Sequence, residues 1–475
     1  MSNAEPFRSA RPVTTYVEHG GSKRLLRSGG FWVAVFGLLL GVGLAWLLIT
    51  GLLARREVSK AESAINGARA SISAGDITTA IGQSDQIRAH AHRAHELTTG
   101  PAWWIASKIP LLGKPVVSVR GCATAADALG NQVLQPLVRT AGSLNLNQLV
   151  DHGTVNVQPL AQAAPVVSAA RLNLIAASAI VGDLPQSTWL GTVDRARASF
   201  HTSLTKLQGQ LNSLDRVTSI LPQMLGTDRT MHYFVGLENE AESRGVGGIP
   251  GAFAIVTADR GKLSFTRFES DTTLYRVRTD LKLGAEYNQR YGVADPTSTY
   301  ANSTISPDFR DAAQIWAAMW QKYSGQKVDG AIAIDPTAIS YLLKVTGPAE
   351  LADGTSVGAD SVVALTQKTL YATYPDANQR KAYLLKMASA ISARLISAPG
   401  SPALIKAASK AVAERRLLVW SAQQSIEDVL RQTAVAGTLE PGNRPFAGFT
   451  TTNAVGGKLD YYLQRSMTYQ RTGCG

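Results

Sequence analysis

Between Arg27 and Arg55 the chain carries no charged residue. The run FWVAVFGLLLGVGLAWLLITGLLA, Phe31 to Ala54, exceeds the about 20 residues that cross a bilayer as a helix at 1.5 Å each. A cleaved signal peptide has an apolar core of about 7 to 15 residues, and a buried core helix is seldom apolar on every face. The expectation is therefore a single transmembrane helix over 31–54, with Trp32 and Trp46 as interface residues. Arg11, Lys23, Arg24 and Arg27 precede it, and Arg55, Arg56, Lys60 and Arg69 follow it. The positive-inside count therefore ties. Domain size decides instead: large domains translocate largely regardless of charge, which predicts a short cytoplasmic tail over 1–30 and the bulk of the chain outside.

The formal charge of +12 is uneven: residues 1–60 hold eight Lys or Arg against three Glu, and the remaining +7 is spread over the rest of the 475 residues. Basic residues beside a membrane helix are suited to anionic headgroups. No zinc-finger spacing, aromatic RNA-binding signature or dense basic helix is present, so nucleic acid is not an expected partner. The two cysteines, Cys122 and Cys474, are too few for a disulfide framework. They either pair outside the cytoplasm or leave Cys474 as a loose thiol.

From 55 to 226 the pattern is helical, with SAGD (Ser73–Asp76) as a turn and Pro101, Pro110, Gly113 and Pro115 punctuating PAWWIASKIPLLGKP. Trp103 and Trp104 either touch the lipid surface or cap a helical bundle. The texture changes at Thr227. MHYFVGLE, AFAIVTA and KLSFTRFE read as strands, with ADRG as a turn between the last two. SPDFRDAAQIWAAMWQKYSG reads as a helix capped by Ser306 and ended by Gly325. VDGAIAID is a strand, Asp335 and Pro336 open the next helix, further helices fill 360–432, and KLDYYLQRSMTYQ alternates as a late strand.

The middle of FVGLENEAESRGVGGIPGAFAIV is longer and more polar than a hairpin turn requires. It is not a dinucleotide loop, because strand-like AFAIVTA follows where a helix must open. No G-x-S-x-G elbow exists, and His232 has no partner identifiable by spacing. In IRAHAHRAHE, His92 and His95 share a helix face while His90 points elsewhere, a poor metal set. What remains is Glu238, Asn239, Glu240, Glu242 and Arg244, with Glu269 and Asp271 ending the third strand. Such carboxylates suit a divalent ion, and an arginine beside them suits a phosphate. The alternative is a solvated loop with ordinary ion pairs.

TDRTMHYFVGLENEAESRGVGGIPGAFAIVTADRGKLSF, with ISPDF, VDGAIAIDP and LLKVTGP, resembles the domain of unknown function 4012 family, membrane-anchored proteins of Gram-positive bacteria. Asn239, Glu242, Arg244, Gly247 and Gly248 match residues of that family's N-N-x-E-x-R-x-x-G-G segment. The order of elements is more distantly similar to the LytR-CpsA-Psr phosphotransferases, which move glycopolymers from a polyprenyl-pyrophosphate carrier to the cell wall. This resemblance implies Arg244 on the pyrophosphate, Asp271 and Glu242 as Mg²⁺ ligands, and Thr272 and Asp329 at the ligand. Ser270 departs from the pattern, standing where the Arg-Asp-Thr motif has its arginine.

Together these readings predict an α/β (mixed α+β) head over 227–475, with a mixed sheet flanked by helices. The head stands on a helical stalk or bundle over 55–226, behind the transmembrane helix. The expected function is that of a single-pass extracytoplasmic envelope protein that binds, or transfers, a phosphorylated glycopolymer or its lipid carrier. Arg244, Asp271 and Glu242 are the expected catalytic residues, and Asn239, Gly247, Gly248, Thr272 and Asp329 are the expected ligand-binding set. A non-catalytic scaffold in polysaccharide assembly is the alternative.

Overall fold

The computed structural model describes residues 29–74, 76–110, 113–143, 149–151, 153–439, 448–468, 470 and 473. The tail before residue 29 and Cys474 lie outside these.

Helix α1 runs unbroken over Gly29–Ala74 and contains the apolar stretch, whose Val33, Phe36, Leu40 and Leu48 are exposed. It is long and apolar enough to anchor the chain in a membrane. Asp76 caps α2 (Ile77–Thr99), accepting from the Thr79 N–H at 3.0 Å. The short α3 (Pro101–Ala106), α4 (Gly113–Ala128), a π-helical turn at Leu129–Leu134 and α5 (Gln135–Ser143) follow. Two long helices, α6 (Val157–Gly182) and α7 (Gly191–Met224), complete the bundle. Its core joins Ala125, Val133, Leu174, Val181, Leu204 and Leu211. Helix α6 is also apolar enough to cross a membrane, but its Leu174, Ala177 and Val181 are spent on this core. Burial pushes the Cys122 thiol, beside that core, up to about 11. The three histidines separate: His90 meets Glu57 at 2.6 Å, His92 meets Asp127 at 3.2 Å, and His95 meets Thr124 at 3.3 Å.

The head is built on a seven-stranded sheet. Its strands are β1 (Val150–Asp151), β2 (Thr154–Val155), β3 (Met231–Ser243), β4 (Gly248–Asp259), β5 (Lys262–Ser270), β6 (Gly330–Ile334) and β9 (Leu417–Ser421). Their order is β1-β2-β5-β4-β3-β6-β9. β3 and β6 pair in parallel and the other neighbours are antiparallel. A separate pair joins β7 (Ala349–Glu350) and β8 (Ser356–Val357). Arg260 (φ 49°) and Gly261 (φ 85°) form the β4–β5 turn, both left-handed, as a two-residue hairpin whose twist matches its strands demands.

Helices cover both faces, which explains why β3 is apolar on both sides through its first half. After the short α8 (Ala285–Tyr291), α9 (Phe309–Ser324) covers one face and seats Trp316 against Phe234, which stacks on Phe253 with centroids 4.7 Å apart. Its cap is Asp308, which accepts from the Arg310 N–H at 3.1 Å, rather than the expected Ser306. Ser306 instead donates to Asp311 at 2.6 Å. On the other face lie the end of α7, α10 (Pro336–Thr346) and α11 (Ala377–Ser397). Two expectations fail here. β9 lies within the region expected to be all helix, and the described residues of KLDYYLQRSMTYQ form a 3₁₀ turn at Lys458–Tyr462 and pair in no strand.

Candidate functional site

The polar stretch expected as a long loop is mostly strand. β3 continues to Ser243 and β4 begins at Gly248, with irregular register after Leu237 and after Asn239, so Arg244 to Val246 and Gly247 alone connect them. The glycines permit close packing. A Cβ on Gly248 would lie 2.1 Å from the Asn239 carbonyl oxygen, and one on Gly245 2.3 Å from that of Ile305. One on Gly247 would meet Glu238 Oε2 at 2.5 Å.

Because β3 and β6 run parallel, their carboxyl ends meet at one edge, the place where open α/β sheets collect ligands. The acids there are buried. Asp335 ends β6 and caps α10, its Oδ1 accepting from the Ala338 N–H at 2.7 Å while its Oδ2 accepts from Arg416 at 2.7 Å. Arg416, just before β9, also reaches Glu240 at 2.5 Å. Glu240 further accepts from Gln367 at 3.0 Å and from the Thr337 hydroxyl. Burial, then the neighbouring Glu240, pushes the Asp335 carboxyl up to about 8. Glu240 stays below its usual range: burial opposes this, but hydrogen bonds from Asp335 and Thr337 and the Arg416 charge prevail. Of the pair, Asp335 is thus the carboxyl that takes a proton more readily, while Glu240 stays ionised beside the Arg416 guanidinium.

Glu238, on the aromatic face, is held well above the carboxylate range by burial first and by Asp335 next. Its Oε1 has no hydrogen-bond partner, nor has the buried Tyr300 hydroxyl.

The expected site residues are distributed as follows. Arg244 is buried, and its Nη1 donates to the carbonyls of Ser243 (3.3 Å) and Asn453. Glu242 pairs with Lys458 at 2.5 Å. Both therefore lie under residues 448–468, which cross the loop: the Ser243 N–H donates to Asp460 at 2.9 Å, and the Asn453 N–H donates to the Ser243 carbonyl at 2.8 Å. Asn239 accepts from the Ala241 N–H at 3.2 Å within its own turn. Asp271, past the end of β5, pairs with Lys381 of α11 at 2.6 Å, and the Thr272 hydroxyl meets that of Ser270. Asp329 is not brought to these residues. It sits before β6, at the opposite end of the sheet, where it binds Arg229 at 2.6 Å and the His232 N–H at 2.8 Å.

Glu242 and Asp271 are each neutralised by a lysine. Among the described residues no three His, Cys, Asp or Glu side chains gather as a metal set. Both carboxylates are thus engaged by ammonium groups, rather than standing free as the hard oxygen ligands that Mg²⁺ takes.

Sequence reasoning missed Arg416, Lys381 and Lys458. None has a local signal, since the acids named above are reached across 81 to 216 residues of chain. Asp335 was legible only as a cap.

Between the sheet and its stalk-side helices lies a cavity of about 330 Å³, lined by Leu221, Val235, Leu237, Ile334, Ile391 and Leu395 among others. Its wall is apolar throughout, apart from the edge of Ser392 and the Tyr233 ring, whose hydroxyl is turned to the Met224 carbonyl. Leu237 and Ile334 are the last cavity residues of their strands, directly before Glu238 and Asp335. The cavity thus runs from the top of the stalk to the charged edge.

Comparison of the chain with curated proteins gives no match. Residues 228–371, from the turn before β3 through the sheet's parallel pair and α10, match the model of the family described as Protein of unknown function (DUF4012), so the core of this head is similar to that family.

Proposed function

We propose that this protein is a single-pass envelope protein, N-terminus in the cytoplasm and head outside, that binds a polyprenyl-phosphate-linked glycopolymer by holding the prenyl chain in the apolar cavity of the head. The cavity carries this reading. Its volume falls in the range of ligand pockets, about 300–1,000 Å³, and each CH₂ taken from water contributes about 0.8 kcal/mol. Cations border the same helix. Arg380 and Lys381 occupy the first turns of α11, whose later turns wall the cavity. Arg380 and Lys458 each lie 4.4 Å from the centre of the Tyr371 ring. A phosphate here would compete with Asp271 and Glu242 for the two lysines, and a sugar would meet the Tyr371 ring beside Arg380.

Binding is favoured over transfer. The acids that the transferase resemblance would assign to Mg²⁺ sit on lysines, Asp329 is at the far end of the sheet, and Ser270 replaces an arginine. The test is retention of a polyprenyl phosphate by the full chain, read by native mass spectrometry from detergent. Ala388→Trp and Ser392→Phe, which fill the cavity, should abolish retention with the melting temperature maintained. Wild type should release no phosphate from the carrier. Retention unchanged in both filled variants would overturn the reading.

A further inference from the structure

We infer that α3 and the turn after it form a wedge in the lipid headgroup layer, making a second membrane contact beside the anchor. This rests on reading α1 as membrane-spanning. Within α3 the two tryptophans part company. Trp103 is 5 % exposed and its indole N–H donates to the Thr50 hydroxyl at 2.9 Å, clamping α3 onto α1. Trp104 and Ile105 are 57 % and 56 % exposed, and Ile109 is exposed beside them.

The depth of this contact follows from α1. Its charge-free part, Gly29 to Ala54, is roughly 40 Å long at 1.5 Å per residue, close to the about 40–45 Å of a bilayer with its headgroups around a hydrocarbon core of about 30 Å. Arg55 then lies at headgroup level. Thr50 lies about 7.5 Å further in, near the boundary of the hydrocarbon. An indole bonded to Thr50 fixes α3 at that depth, and the exposed Trp104 and Ile105 face an apolar surface there rather than open water. Indole rings favour this layer. Lys108 and Lys114, both exposed, flank the apolar face where phosphate headgroups would lie, and Arg55 and Arg56 directly follow the charge-free part of α1. The occupant is therefore the bilayer surface itself, since a soluble partner would have to share this depth with lipid. Two attachment points prevent the stalk from swivelling about α1.

The experiment places a nitroxide on the full chain in lipid nanodiscs, after Cys122→Ala and Cys474→Ala, through Trp104→Cys or Ile105→Cys. References are Leu44→Cys within the anchor and Val455→Cys on the head. Collision with a water-soluble nickel chelate should be lost at residues 104 and 105, as at Leu44, and retained at Val455. If Leu44 is shielded while both wedge labels collide like Val455, the wedge is overturned and the anchor stands. If Leu44 itself collides freely, the anchor reading fails and takes the wedge with it.

Discussion

Asp335 serves two partners at once, capping α10 with one oxygen and holding Arg416 with the other, while Glu240 presses on it from β3. Its carboxyl keeps a proton to about pH 8 in the folded state and would release it near 3.8 when unfolded. Across that window the folded state binds the extra proton, so stability falls as pH rises. Glu427, pushed by burial to about 7, acts in the same sense but completes its change earlier. Melting temperature should therefore decline from about pH 5 to 8.5, and Asp335→Asn, which keeps the capping oxygen, should flatten the part above pH 7. An unchanged slope there would place the proton elsewhere. The glycines of the β3–β4 connection make a second residue-scale contrast. Gly248→Ala drives a methyl into the backbone of Asn239 and Glu240, which cannot move as a side chain would, and should cost more than 3 kcal/mol, about the level of severe core lesions. Gly251 has nothing within 4 Å of its Cβ position. Gly251→Ala should leave stability unchanged or raise it by about 0.4–1 kcal/mol through the unfolded chain. Equal effects in urea unfolding would mean that the close approach is not what selects glycine at 248.

The elements divide by how local their cause is. The long helices, the β4–β5 turn and the Asp335–Pro336 helix start are legible because period, cap and turn chemistry act within a few residues. β3 was read too short for the opposite reason. Glu238 to Ser243 look like solvated loop, and only the distant Arg416, Lys458 and Asp460 reveal them as paired, partly buried strand. β9 was missed because its five residues carry no alternation that separates them from a buried helix. The expected carboxylates and arginine are dispersed over separate contacts rather than gathered as one cluster. They turn to the protein's own lysines, to Arg416 and to the C-terminal segment. That segment is itself testable as an element. Asp460→Ala removes the acceptor of the Ser243 N–H, so the Ser243 amide should exchange with solvent faster while that of Val235, inside the sheet ladder, keeps its protection. Unchanged exchange at Ser243 would mean that residues 448–468 do not dock on the loop.

At the scale of the molecule, a tied charge count leaves the size of the folded part to set its side of the membrane. A reporter that works only in the cytoplasm, fused after Gln470, should be silent. Strong signal would reverse the topology and remove every envelope role. The bundle then fixes where such a role is exercised. Helices of 23, 26 and 34 residues stand between the anchor and the sheet, about 35 to 50 Å of rise. A prenyl tail still rooted in the bilayer has that height of water to cross before it meets Leu221. Moving the tail from lipid to cavity exchanges one apolar medium for another, but leaving it stretched through water between them does not. If the head binds a carrier as proposed, that carrier must therefore reach it already lifted out of the membrane. Under the proposed function the stalk would make the protein a recipient that depends on a donor able to extract lipid, and the rate of loading would be governed by the meeting of two proteins rather than by diffusion in the plane of the bilayer.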